Sequence, residues 1–325
     1  MPGSYKDVNY RIRPAKSVQR KMLCEAFQRL SEFGSLKSYR YVGLPATFFS
    51  DFILLHRVLG IHNMVGIEVD PLEKKRFEFN LPFRCIKMRY GHSNAILPQL
   101  DWDLRTILWL DYDDPLSTSV LTDVGFFFAE APAGSVMVVT LDARPDPDQD
   151  EADEETDEPR LTRLNKKVGE ENVPRDVREQ DLADWGTAFT YHRIVTDAIR
   201  RTVIERNGSR PLPNQLVYEQ LFYFCYADGP KMVTVGGLLY ERSQGKPLDR
   251  CGFKDLDFIR SGPRNGSKPC FIEVPSLTFR EIRHLDSQLP RDKGKRLRAP
   301  RVPVTDLKRY ERIYRYFPAF AEAEL

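Results

Sequence analysis

The sequence predicts an α/β protein with a doubly wound, mostly parallel sheet. Five short apolar segments alternate with helical segments between residues 15 and 142, and two longer strand-like segments follow at 216–227 and 231–241. The five short segments are apolar along most of their length, which is typical of strands covered by helices on both faces. This alternation favours parallel pairing through right-handed crossovers.

Each element of the alternation has its own local signal. The first helix, at 15–33, places Met22, Leu23, Phe27 and Leu30 at helical spacing. Pro71 suits the first turn of a helix at 71–80, and further helices are expected near 93–100 and at 117–131. The predicted parallel strands are 38–43, 64–70, 84–90, 105–112 and 135–142.

A terminal hairpin completes the expected sheet. A helix at 181–206 precedes the two longer strands, and Asp228-Gly229 between those strands is a hairpin signal. The sequence therefore predicts seven strands, ending in an antiparallel hairpin.

The predicted domain organisation is one α/β domain over residues 1–241 and a small C-terminal extension over 242–325. Residues 142–159 are strongly acidic and contain several prolines, so they are expected to form a flexible loop. In the extension, Thr278 and Glu281 have the spacing of a capping box at a helix start.

Composition narrows the function only slightly. The 325 residues contain 49 Lys and Arg against 47 Asp and Glu, a net charge of +2 that neither favours nor excludes a nucleic-acid partner. The five cysteines form no CxxC pair, which indicates reduced thiols and a cytoplasmic protein. No apolar run of about 18 residues occurs, and the N-terminus has no secretory apolar segment, so no membrane partner is expected.

The order of five strand–helix units, a helix and an antiparallel hairpin over residues 15–241 resembles the Rossmann-like class I S-adenosylmethionine-dependent methyltransferases. The resemblance implies that S-adenosylmethionine is the cofactor, bound beyond the carboxyl ends of the strands. It also implies methyl transfer to an acceptor that remains unknown, because acceptor pockets in this fold come from variable loops.

The loop after the first strand is YVGLPATFF, and its resemblance to the family loop is partial. Gly43 matches the first glycine of the family's Gly-x-Gly-x-Gly pattern. Pro45 and Thr47 stand where the next two glycines would be, and Tyr41 stands at the position that is often acidic. The resemblance implies that Gly43 and Pro45 line the cofactor site.

Two further loops resemble cofactor contacts of the family. Glu68, at the end of MVGIEVD, corresponds to the acid that binds the ribose hydroxyls. Alternatively, Glu68 caps the next helix, or Asp70 is the functional acid. In YGHSNAILPQL, the residues Gly91, His92 and Ser93 correspond to the adenine loop, although a lone histidine such as His92 is more often structural.

Acidic residues end the fourth and fifth predicted strands. Asp111 is followed closely by Asp113, and Asp142 ends the next strand. This resembles the cation-dependent O-methyltransferases, which implies Asp111 and Asp113 as catalytic residues and Mg²⁺ bound by Asp111 and Asp142. Ala143 stands where that subfamily has asparagine. The alternative is that these acids are charged loop residues and helix caps.

Two other functions stay open. One is a catalytically inactive, methyltransferase-like binding module in a multiprotein or nucleic-acid-associated assembly. The other uses the basic run 291–301 to contact phosphates, with bases stacking on nearby aromatic rings. The rings in question are those of Tyr310, Tyr314, Tyr316 and Phe317. The simpler interpretation is a helical stripe that packs inward, since Tyr310, Ile313, Tyr314 and Phe317 recur at i, i+3, i+4 and i+7.

Overall fold

A computed structural model describes residues 13–146, 158–292 and 294–318. Most of the predicted acidic loop, residues 147–157, lies outside the described residues. Eight strands form one sheet in the order β3-β2-β1-β4-β5-β7-β6-β8. The strands are β1 (Arg40–Gly43), β2 (Asn63–Glu68), β3 (Ile86–Tyr90), β4 (Thr106–Asp111), β5 (Val136–Asp142), β6 (Leu216–Ala227), β7 (Lys231–Glu241) and β8 (Cys270–Ile272).

The sheet is parallel except for β7, which runs antiparallel to both β5 and β6. This confirms the predicted doubly wound fold and its terminal hairpin. β1 lies between β2 and β4, with Gly43 opposite Gly66 on one side and opposite Trp109 on the other. Strand order therefore reverses at β1 and β4, which is where open α/β sheets bind ligands.

Helices cover both faces of the sheet. Successive side chains of a strand point to opposite faces, and in the buried strands both sets of side chains are apolar, so each face needs a covering layer. In β4, Ile107 and Trp109 join one hydrophobic cluster, while Leu108 and Leu110 join the other. The helices are α1 (Pro14–Gln28), α2 (Ser50–Leu59), α3 (Lys74–Phe79), α4 (Ser93–Ile96), α5 (Thr118–Glu130), α6 (Arg160–Val168), α7 (Gly186–Arg206), α8 (Gly245–Arg250), α9 (Gly262–Asn265), α10 (Phe279–Asp286) and α11 (Val304–Ile313).

The expected count of seven strands is wrong by one. β8 pairs in parallel with residues Phe224–Tyr226 of β6 and extends the sheet at that edge. It has three residues, which is too short for a periodic pattern in the sequence, and only its pairing makes it a strand. Residues 251–272 also pack on the core of the sheet through Cys251, Phe258 and Ile272.

Helix α1 packs on the sheet with its N-terminus at the carboxyl edge. The Asp228 carboxylate, in the β6–β7 turn, accepts hydrogen bonds from the backbone N–H groups of Ala15 (3.0 Å) and Lys16 (2.9 Å). Asp228 thus caps the free N–H groups that begin the helix and places its negative charge at the positive end of the helix dipole. Further along, Phe27 packs edge-on against Phe222.

Candidate functional site

The end of β1 is tightly packed. A Cβ atom on Gly43 would lie 2.6 Å from the Tyr41 hydroxyl oxygen, so any other residue at this strand end would have to displace the buried Tyr41 side chain. Pro45 is buried, and its Cγ atom would lie 3.0 Å from a Cβ atom on Gly66 of β2. The proline ring therefore packs over the β2 backbone, and the loop has one N–H fewer to offer a ligand.

Glu68 lies half-buried at the carboxyl end of β2. Its carboxylate accepts a hydrogen bond from the Asp70 backbone N–H (2.9 Å), and burial raises its pKa. Asp70, and not Glu68, caps the following turn, because its side chain accepts from the Leu72 N–H (2.9 Å). The chain then returns beside Glu68, whose carbonyl accepts from the Gly91 N–H (2.8 Å).

The loop after β3 is held by one buried acid, Asp123 of α5. This side chain is 1% exposed and accepts hydrogen bonds at 2.5 Å from the Ser93 hydroxyl, the Asn94 amide and the Tyr112 hydroxyl. Burial raises the pKa of Asp123, although these three bonds favour its carboxylate form. The Ser93 hydroxyl is thus engaged in positioning the loop, while His92 is exposed.

At the end of β4, Asp111 forms an ion pair with Lys16 of α1. The distance from Lys16 Nζ to Asp111 Oδ1 is 2.5 Å, and Nζ also donates to the Tyr226 hydroxyl at 3.1 Å. The ammonium lies 4.9 Å from the centre of the Trp109 ring, a cation–π distance. The Lys16 side chain is 1% exposed and that of Asp111 is 23% exposed, so Asp111 is the member of the pair that a ligand can reach.

Burial of Lys16 is costly. Burial lowers the pKa of its ammonium from 10.5 to about 8, against the attraction of Asp111, and Arg20 lowers the pKa further. Lys16 also stands at the third residue of α1, where the helix dipole disfavours a cation. Strained or desolvated charges of this kind cluster at functional sites.

A second carboxylate lies beside the end of β1. The Tyr41 hydroxyl donates a hydrogen bond to Asp51 of α2, and burial together with Asp51 raises the pKa of Tyr41 well above its ordinary value. Burial also raises the pKa of Asp51, while the charge of Arg20 opposes that rise. Asp51 thus places a buried carboxylate beside the end of β1.

The magnesium prediction finds no support. Asp142 is 4% exposed, and its carboxylate bonds to the Arg144 guanidinium (2.5 and 2.8 Å) and the Arg144 backbone N–H. Asp111 is paired with Lys16, and Asp113 is exposed. Within residues 13–146, 158–292 and 294–318, no group of three or more His, Cys, Asp or Glu side chains could hold a metal ion.

Sequence reasoning missed Lys16, Asp51 and Asp123. A signal for Lys16 existed, because Lys16, Gln19 and Leu23 recur at i, i+3 and i+7 on the buried side of α1. A lysine in such a stripe is expected to pair with a carboxylate if it stays charged, but only the tertiary structure identifies that carboxylate.

A family model described as "Putative O-methyltransferase" matches residues 8–325, nearly the whole chain. The chain belongs to this family. Together with the sheet order, the match confirms the predicted resemblance to S-adenosylmethionine-dependent methyltransferases. No curated protein matches the chain.

Solved structures with similar folds are distant in sequence. The O-methyltransferase TomG from Streptomyces achromogenes, in complex with SAM, is 14% identical over 73% of this chain and 93% of its own, with a TM-score of 0.35. Two further matches each cover 70% of this chain and 57% of their own. They are human N-acetylserotonin methyltransferase with SAM (12% identical, TM-score 0.32) and Trm1 from Pyrococcus horikoshii with S-adenosyl-L-methionine (11% identical, TM-score 0.41).

No helix in the described part of this chain is long and apolar enough to cross a bilayer.

Proposed function

We propose that this protein transfers a methyl group from S-adenosylmethionine to a hydroxyl oxygen at the carboxyl edge of the sheet. The observation that carries the proposal is the pair of accessible carboxylates, Glu68 and Asp111, on the two strands that flank β1 at the point where strand order reverses. The family match over residues 8–325 supports the reaction class.

The residues present suit this cofactor. Glu68 would accept hydrogen bonds from the ribose hydroxyls, and the backbone at Gly91 and His92, held in place through Asp123, would border the adenine. Gly43 leaves room for the Tyr41 hydroxyl at the end of β1, and Pro45 removes one backbone N–H that the loop could otherwise offer to the cofactor. The cofactor, when bound, supplies an electrophilic methyl group on a sulfonium.

The remaining chemistry falls to Asp111 and its partner. Asp111 would accept a hydrogen bond from the acceptor hydroxyl and receive its proton as the oxygen takes the methyl group. Lys16 orients Asp111 through the 2.5 Å ion pair. Displacement at an activated methyl depends mainly on alignment, so one positioned carboxylate is a sufficient polar group.

Asp113 is proposed only as a bordering residue, because its exposed position makes it a weaker candidate than Asp111. The cytoplasm is the proposed compartment, since all five cysteines are free thiols.

Calorimetric titration with S-adenosylmethionine and its demethylated product tests the cofactor site. The Glu68→Gln variant should bind about tenfold to a hundredfold more weakly, because a hydrogen bond to a charged group contributes about 1.5–3 kcal/mol. The matched control is Glu78→Gln on the exposed side of α3, which should bind like the wild type. Transfer of labelled methyl groups to cell extract then tests activity.

The outcomes separate the competing functions. Cofactor binding that both variants retain equally would remove Glu68 from the site. Absence of binding to folded wild-type protein would overturn the proposal and leave the inactive binding module as the better explanation.

A further inference from the structure

The C-terminal segment 277–318 is strongly basic, although the whole chain is nearly neutral. It contains 12 Lys and Arg against five Asp and Glu, a net charge of +7 in a chain whose net charge is +2. The segment has its own small hydrophobic cluster, formed by Leu285, Leu297, Leu307 and Tyr310. It therefore forms a compact unit that concentrates positive charge.

The unit is fixed to the rest of the protein. Arg309 pairs with Glu273 at 2.7 Å, just after β8, and Arg315 pairs with Glu25 of α1 at 2.9 Å. The chain enters the unit from the carboxyl end of β8, which pairs in parallel with the end of β6. The charges are thus carried by a unit that is anchored to β8 and α1 and that follows the carboxyl edge of the sheet.

None of the five acids of the unit is available to neutralise the surplus. Glu281 caps α10 together with Thr278, and Asp286 accepts a hydrogen bond from the Tyr310 hydroxyl (2.6 Å). The other three acids form ion pairs: Asp292 with Lys295, Asp306 with Arg309, and Glu311 with Arg291.

Seven exposed cations of the unit have no carboxylate partner among the described residues. One of them, Arg312, donates hydrogen bonds to Cys270 Sγ and to the Phe271 carbonyl. The side chains of the other six have no partner within the described part of the chain: Arg280, Arg283, Arg296, Arg298, Arg301 and Lys308.

Three of these cations lie along one seam. Arg280 and Arg283 are one helical turn apart on α10 and point to the same side. The backbone of Arg298 is bound beside that helix, because its N–H donates to Gln288 Oε1 (3.0 Å) and its carbonyl accepts from Gln288 (2.9 Å) and His284 (3.0 Å). We use the word seam for this surface, which consists of α10 and the adjoining loop backbone at Arg298.

We infer that this seam, formed by Arg280, Arg283 and Arg298, binds the phosphodiester backbone of a nucleic acid. Five of the six unpartnered cations are arginines, whose planar guanidinium suits bidentate contacts with phosphate oxygens. Phe279, which is 70% exposed beside Arg280, offers a ring on which a base can stack.

A lipid surface fits this seam less well. A helix that lies on a membrane presents a stripe of apolar side chains to the bilayer. In α10, Leu285 is fully buried and Ile282 packs on the same cluster, so Phe279 is the only large apolar side chain that the helix exposes.

Two of the rings that the sequence suggests for base stacking are turned inward, since Tyr310 is 1% and Tyr316 6% exposed.

Fluorescence anisotropy on the full chain tests the inference, with labelled single-stranded RNA of about 20 nucleotides and duplex DNA of similar length as probes. If the three seam arginines and the other three unpartnered cations of the unit all contact phosphates, the Kd for RNA should rise about 300-fold between about 50 and 200 mM salt. The triple variant Arg280→Gln, Arg283→Gln, Arg298→Gln should bind at least about tenfold more weakly, with a salt dependence about half as steep.

The matched control removes three exposed cations elsewhere, with Lys75→Gln, Arg84→Gln and Lys87→Gln. Equal binding by the two triple variants would show that only net charge matters, and it would overturn the inference. Absence of binding to both nucleic acids at low salt would also overturn it, as would binding to phosphatidylserine vesicles alone. Neither readout depends on methyl transfer, so failure of the proposed function would leave this test intact.

Discussion

Replacing Lys16 with methionine is expected to stabilise the protein at neutral pH and to weaken methyl transfer. Methionine has a similar length and no charge, so it can occupy the same site between Trp109 and Tyr226 without desolvating an ammonium. Transfer should fall because Asp111 would lose the partner that orients it.

The magnitude follows from the Lys16 pKa. One pKa unit corresponds to about 1.4 kcal/mol, so lowering the pKa from 10.5 to about 8 costs the folded state about 3 kcal/mol. This cost is fully present below about pH 8, where both the folded and the unfolded chains hold the proton. Between about pH 8 and 10.5 only the unfolded chain holds it, so stability rises with pH and the cost is gone above that range.

Urea unfolding of both proteins under reducing conditions measures the difference. Lys16→Met should be up to about 3 kcal/mol more stable than the wild type near pH 7, and the difference should shrink towards zero near pH 10.5. Buried thiols such as Cys251, whose pKa burial raises to about 11, lower stability at high pH in both proteins and cancel in the comparison. Lys75→Met, at an exposed site, is the control.

A stability difference that stays constant from neutral to alkaline pH would refute the reasoning, since it would mean that Lys16 does not lose its burial cost on deprotonation. A Lys16→Met variant with full methyl-transfer activity would separately refute the positioning role of the ion pair.

Three further outcomes are expected. Asp123→Ala should lower the free energy of unfolding by about 2 kcal/mol in urea, because three donors lose a buried acceptor. The same variant should bind the cofactor more weakly, because the loop at Ser93 is no longer held in place. Unchanged cofactor affinity would contradict that role. Gly236→Ala should lower the free energy of unfolding by at least about 3 kcal/mol, because the new Cβ atom would lie 2.3 Å from the Met137 carbonyl oxygen. Gly245→Ala is the control. Its Cβ atom would meet nothing within 4 Å, so its free energy of unfolding should be nearly unchanged in the same assay. Chelation of divalent ions should leave labelled methyl transfer unchanged, because both strand-end carboxylates already bond to cationic side chains; loss of transfer restored by Mg²⁺ would contradict this.

Local pattern was sufficient for the fold class. The five parallel strands, the helices between them and the hairpin each depend on burial or turn signals within about a dozen neighbouring residues, and all of them formed near the predicted positions. The sequence also indicates where each strand ends, and this places Glu68 and Asp111 at the carboxyl edge of the sheet, as the structure does.

Residue partners required the tertiary structure. The Lys16–Asp111 pair joins residues 95 positions apart, and the cap of α1 by Asp228 spans more than 200. β8 has three residues and becomes a strand only because β6 leaves an edge to pair with.

Local periodicity is enough to assign the strands, the helices and the acids at the strand ends. The charge partners depend on the assembled fold, which pairs the two acids predicted as metal ligands with Lys16 and Arg144. The physical reason is that the energy of a charge depends on the burial and the neighbours that the assembled sheet creates.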